Sequence, residues 1–195
     1  SRRRSWSGRP SWQDTALFRS LNMANQACRL PAGRDASVYD VGRHIALWVS
    51  AFEILAHPGS ESRSDLGRVV SLIEMAPWRA PTMRARRYTV IKARRGGAAR
   101  KSGFASHVYG RLYDLRNAFL HGNPISRARL YSSAGKPWWA YAAPLSRTAL
   151  IAFLTADRVS PALPSEPIAL GSAIAERLAD EHPAFERAIL TARRT

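Results

Sequence analysis

A single cysteine, Cys28, excludes an intrachain disulfide and makes a reducing, cytoplasmic setting the simplest expectation. Long apolar runs are missing too. No stretch approaches the ~18–20 residues that a membrane-spanning helix needs, so a membrane is not expected as a partner. Ser1 to Pro10 is basic, but no apolar segment follows it, which argues against a secretory signal. The chain opens on Ser1 rather than Met and is read as a fragment or processed piece that lacks an N-terminal region. Acids are scarce, 14 against 30 Lys and Arg, for a net charge of +16 and a pI near 11.4. Such an excess favours polyanions such as RNA or DNA, the bland alternative being a solvated basic surface with no specific partner.

Several chemistries lack their motifs. His44, His57, His107 and His182 show no zinc spacing: there is no cysteine pair and no His-Glu-x-x-His. Gly96-Gly97 sits in neither nucleotide-binding glycine pattern, and no serine nucleophile elbow is present. No metal and no cofactor are expected.

What is present is an apolar share of 46%, enough to bury a core in one domain. Residues 1–12, with Arg2, Arg3, Arg4 and Arg9, read as a flexible basic arm, and residues 13–195 as a single all-α domain of about five or six helices. A first helix is predicted from Asp14 to Leu30, with Leu17, Leu21, Ala24 and Cys28 as its stripe and Cys28 as a small buried hydrophobe. A second runs from Tyr39 to Ala56. Between Ile45 and Ala56 only Ser50 and Glu53 are polar, so this helix belongs in the bundle centre and Glu53 needs a partner. A third is predicted over Asp65 to Met75, capped by Ser64 or Asp65.

Trp78 to Gly103 holds nine Lys or Arg and no acid. It reads either as a disordered basic loop or as one that grips RNA phosphates through Arg84, Arg86, Arg87, Lys92, Arg94 and Arg95. Tyr88 to Ile91 is a short extended candidate. A fourth helix is predicted from Phe104 to Leu120, stopped by Gly122, Asn123 and Pro124. Pro124 to Pro144 reads as a loop or irregular hairpin whose Tyr131, Trp138, Trp139 and Tyr141 pack on the bundle, with base stacking as the rarer use. A fifth helix covers Leu145 to Thr155, Pro161, Pro164 and Pro167 form a stiff linker, and a last helix or helix pair from Ala169 to Arg193 breaks near Pro183.

The informative stretch is Leu115-Arg116-Asn117-Ala118-Phe119-Leu120-His121-Gly122 at the end of the fourth helix. With the Glu53 helix upstream, it resembles the Arg-Asn-x-x-x-His motif of HEPN ribonucleases, the Apea-like branch in particular, over a core of about residues 39–155. The resemblance implies a HEPN-like helical bundle and a metal-independent endoribonuclease acting as a homodimer. In such families the 2′-hydroxyl attacks the adjacent phosphorus, leaving 2′,3′-cyclic phosphate and 5′-hydroxyl ends. Many relatives are toxins or defence components, so an antitoxin or other regulatory protein joins RNA among the implied partners.

The residue chemistry agrees. Arg116 stays protonated and can hold phosphate oxygens through two donors. His121 can exchange protons near neutral pH, and Asn117 can orient it or donate to phosphate. Glu53 and Asp114 are supporting candidates. Five residues at ~100° each place Arg116 and His121 about 140° apart on an ideal helix. Either the helix unwinds before Gly122, or a second protomer completes the site. His107, Asp114 and His121 share one face within about 40°, read as a polar or dimer-facing stripe in preference to a metal site. The competing reading is a non-catalytic RNA-binding, nucleotide-binding or assembly module, in which Arg116 merely pairs with Glu53 and His121 caps the helix.

Overall fold

The computed structural model describes residues 12–31, 36–59, 65–91, 99–156 and 169–193. Among these, eight α-helices and one two-stranded sheet appear, an all-α bundle with a single hairpin.

Helices α1 (Trp12–Arg29) and α2 (Val38–Leu55) form an antiparallel pair. Trp12 Nε1 donates to the His57 carbonyl at 3.2 Å, and Ser20 Oγ donates to that of Ala51 at 2.8 Å. The buried face of α1 is Ala16, Ser20 and Ala27, while Leu21 is exposed. Cys28 is exposed as well, which corrects the expectation of a buried thiol. Small residues let the two backbones approach closely; Leu17 and Ala24 still pack against the core, while Phe18 and Leu21 are left on the outer side. Helix α2 begins with a capping box: Ser37 Oγ accepts from the Asp40 N–H, and the Asp40 carboxylate accepts from the Ser37 N–H.

Ile45, Trp48, Val49 and Phe52 of α2 meet α3 (Leu66–Glu74), α5 (Phe104–Leu120) and α7 (Ala142–Ala156) in one core. Asp65 caps α3 by accepting from the Arg68 N–H at 2.9 Å. Between α3 and α5 lie the single-turn helix α4 (Pro81–Arg84) and the hairpin of β1 (Tyr88–Ile91) and β2 (Arg100–Ser102). The strands pair antiparallel with Tyr88 opposite Ser102, and the register shifts between Thr89 and Ile91. Gly110 lets this hairpin lie against α5, because a Cβ there would come 2.8 Å from Val90 Cγ1.

The aromatic segment is mostly core. After a second single-turn helix, α6 (Arg127–Leu130), a Tyr131–Pro137 bridge leads into a 3-10 turn at Trp138–Tyr141. Trp138, Trp139 and Tyr141 are buried there. The predicted Pro161, Pro164 and Pro167 linker lies outside the described residues. Helix α8 (Ala169–Leu190) runs through Pro183 without the break that the proline suggested. One intrahelical hydrogen bond is lost there, but the turn beyond it is anchored. The buried Glu186 carboxylate accepts from the N–H groups of Arg79 and Ala80 at 3.1 and 2.6 Å, and buried His182 packs its ring on Trp78. No helix among the described residues is long and apolar enough to cross a membrane.

Candidate active site

Helix α5 carries Arg116, Asn117 and His121 on its last turns, and how it ends decides where they stand. The His121 N–H still donates to the Asn117 carbonyl at 3.0 Å. Gly122, at φ +65°, then donates to Phe119 O, and Asn123 to Ala118 O. This paired closure is the Schellman arrangement, with glycine taking the left-handed position. The helix therefore does not unwind before Gly122, and the angular gap between Arg116 and His121 persists. His121 is the exposed C-cap residue, while Arg116 and Asn117 are half-buried.

Arg116 is brought to Glu53, not to His121. Its Nη2 donates to Glu53 Oε1 across the α2–α5 contact, and its guanidinium lies over the Tyr113 ring at 4.8 Å from the centroid. Side-chain exposures of 18% for Arg116 and 26% for Glu53 leave both groups an edge on solvent. Burial pushes the Glu53 carboxyl above its usual range, and Arg116 pulls it back only in part. Beneath the pair, Tyr109 is fully buried, its ring edge-on to Phe52 at 5.0 Å. Its hydroxyl has no hydrogen-bond partner among the described residues. Burial, with Glu53 nearby, holds its proton on well above the ordinary tyrosine range.

Tyr113 and Tyr109 were not among the sequence candidates. Their signal was available: they precede Arg116 by three and seven residues, positions that share its helix face.

The remaining candidates scatter. Asp114 is exposed and takes no part in the Glu53–Arg116 pair. His107 belongs to the hairpin contact, stacked on Tyr88 at 4.6 Å and edge-on to Trp138 at 5.9 Å. Burial and the neighbouring Arg111 lower its pKa to about 4. The face of His107, Asp114 and His121 is thus split between a covered end and an exposed end. No cluster of three or more metal-ligating side chains occurs among the described residues. Of the basic-loop candidates, Arg84, Arg86 and Arg87 are exposed. Lys92, Arg94 and Arg95 lie outside the described residues.

Other arginines serve the fold. Arg100 donates to Glu74 at 2.8 Å, Arg111 covers the Trp138 ring and Arg127 the Tyr131 ring. No protein family, curated protein or solved structure matches the chain.

Proposed function

We propose that this chain is a metal-independent, HEPN-type endoribonuclease that works as a homodimer. One observation carries the proposal. A guanidinium fixed by Glu53 and Tyr113 stands on the same helix end that presents His121 to solvent. Fixing Arg116 beforehand lowers the cost of orienting it on a phosphate. Because α5 stays helical through Leu120, one copy does not turn both groups to one phosphodiester. Two copies facing across a two-fold axis supply two arginines and two histidines to one cleft.

An exposed apolar rim supports that arrangement. The closeness of Gly42 to the Phe119 ring, 2.9 Å from a Cβ placed there, sets the first turns of α2 beside the last turn of α5. Val38, Tyr39 and Leu120 at that end are 69%, 83% and 64% exposed, a surface suited to a second copy.

In this reading one His121 takes the proton from the 2′-hydroxyl as that oxygen attacks phosphorus. The partner's His121 donates a proton to the departing 5′-oxygen. The Arg116 pair holds the non-bridging oxygens as charge builds. Asn117 orients the imidazole or donates to phosphate, and Arg84, Arg86 and Arg87 hold flanking phosphates.

A second reading, a non-catalytic RNA-binding or assembly module, is favoured by the same ion pair, since Glu53 already occupies one edge of the guanidinium. Incubation of single-stranded RNA with the protein in EDTA separates the two. The nuclease cuts RNA and spares DNA of the same sequence, and His121→Ala and Arg116→Ala abolish cutting. Salt-sensitive binding without products establishes the module. An antitoxin or other regulator belongs with the nuclease reading as its biological control.

A further inference from the structure

The Arg116 guanidinium has little room for an incoming anion, and Glu53 stands in that room. A guanidinium offers a carboxylate or phosphate two kinds of paired edge, one through Nε and one through its two terminal nitrogens. The Nε of Arg116 is buried, with no hydrogen-bond partner among the described residues. The terminal edge is therefore the one left for solvent, and its Nη2 already donates to Glu53 Oε1. A phosphate that docks on Arg116 must share this edge with the Glu53 carboxylate or displace it.

Glu53 has no second cation to fall back on. Among the described residues, Arg116 is the one cation within ion-pair distance of it. On α5, Tyr113 offers its ring to the guanidinium, and Tyr109 keeps its proton and stays neutral. His57, one turn beyond Glu53, packs its ring on Trp12 and accepts at Nδ1 from the Gly59 N–H. Helices α1, α3 and α7 also pack on α2, yet Arg116 supplies the charge that acts on Glu53 among the described residues. Glu74 of α3 is engaged by Arg100 instead.

We infer that Arg116 takes an RNA phosphodiester together with a proton, which Glu53 draws from solvent, so that RNA binding is assisted by acid. The inference rests on the proposed function and deepens it by naming how that site is regulated. Two anions on one guanidinium edge repel, and neutralising the carboxylate removes the conflict. The protonated carboxyl can still accept from Nη2 through its carbonyl oxygen. Burial already disfavours the ionised form and acts in the same direction. The sign follows from linkage: if bound RNA raises the proton affinity of Glu53, rising pH weakens RNA binding. For one proton the loss is at most about tenfold per pH unit. It begins above the ordinary glutamate value of 4.5 and levels off once the carboxyl is ionised in the complex as well.

His121 also gains protons near neutral pH, so the test is made in full-length His121→Ala with a single-stranded oligoribonucleotide in EDTA. Titration calorimetry at pH 6 in MES and in bis-Tris, buffers of different ionisation heat, counts the protons taken up per RNA bound. His121→Ala should take up a proton that His121→Ala/Glu53→Gln does not. Between pH 5 and pH 8 the affinity of His121→Ala should fall more steeply than that of the double variant. At pH 8 the double variant should bind several-fold tighter, a gain that damage to the fold does not produce. Carbon NMR of carboxyl-labelled glutamate in His121→Ala reads the same event with Glu53 in place, and its titration should move to higher pH when RNA is added. Equal proton uptake by both variants, or a Glu53 titration that RNA does not move, overturns the coupling and leaves the RNA reading standing. No RNA binding at millimolar concentration overturns both.

Discussion

Removing Arg116 is the perturbation that tells most about this molecule, because its guanidinium is both a packing element and the proposed phosphate clamp. Two unit charges ~4 Å apart attract by about 4 kcal/mol at an effective dielectric of ~20. The solvent edge on Arg116 and Glu53, 18% and 26%, weakens that attraction, and the burial that raises the Glu53 carboxyl opposes it. Hydrogen bonds to charged groups contribute about 1.5–3 kcal/mol, which sets the expected coupling near 2 kcal/mol. Arg116→Met also forfeits the contact over Tyr113, worth about 0.5–1 kcal/mol, and strands the carboxylate. The single variant should therefore lose about 3 kcal/mol, or roughly 6–12 °C in Tm for a chain of this length.

Urea denaturation of wild type, Arg116→Met, Glu53→Gln and the double variant measures the coupling directly. The double variant should be more stable than the sum of the singles predicts by about 2 kcal/mol. Acidification adds a signed check. Without Arg116 the Glu53 carboxyl rises further. A carboxyl raised in the folded state stabilises below its unfolded pKa, and that stability is lost as pH rises through the folded value. The deficit of Arg116→Met relative to wild type should shrink from pH 7 to pH 5. A coupling below ~0.5 kcal/mol, or a deficit indifferent to pH, would mean that the Glu53–Arg116 pair does not tie α2 to α5. If Glu53→Gln leaves stability and RNA cleavage unchanged, the positioning role of Glu53 is wrong.

The histidines provide another expectation. Burial lowers the pKa of His44 and His182, and that of His107 falls to about 4. For such groups the unfolded chain binds protons first as pH falls below ~6.5. The protein should lose stability steadily from pH 6.5 toward pH 4, with His107 contributing at most about 3 kcal/mol, and His107→Phe should flatten the curve measured by denaturation at each pH. Gly103→Ala places a Cβ 2.3 Å from the Met83 carbonyl oxygen, which backbone must move to relieve. It should cost about 2 kcal/mol or more, read by urea denaturation. Exposed Cys28 should react with a maleimide in the native state at the rate seen in urea, a result that a buried thiol would not give.

The helices with strong apolar stripes were legible in the sequence. Phe104–Leu120 matches its predicted bounds, and Val38–Leu55 is shifted by one residue at each end. In helix α1 the expected stripe holds at Leu17 and Ala24, which pack against the core, but not at Leu21 and Cys28, because a close helix pair needs Ala16, Ser20 and Ala27 inside. Pro183 misled because a proline's local cost was outweighed by Glu186 and His182 packing against the Trp78 segment. At the site, the Glu53–Arg116 pair followed from one acid on an apolar helix and one arginine on its neighbour. Tyr109 and Tyr113 depend on which faces meet in three dimensions, a question that spacing along one helix does not answer.

In the proposed mechanism the 2′-hydroxyl beside the scissile phosphate is the nucleophile, served by His121 and Arg116. An RNA cut by the wild-type protein in EDTA, resynthesised with one 2′-deoxynucleotide at that position, tests it most directly. Cutting should stop at this linkage alone while neighbouring sites are still cleaved. Continued cutting at the deoxy-substituted linkage would contradict it.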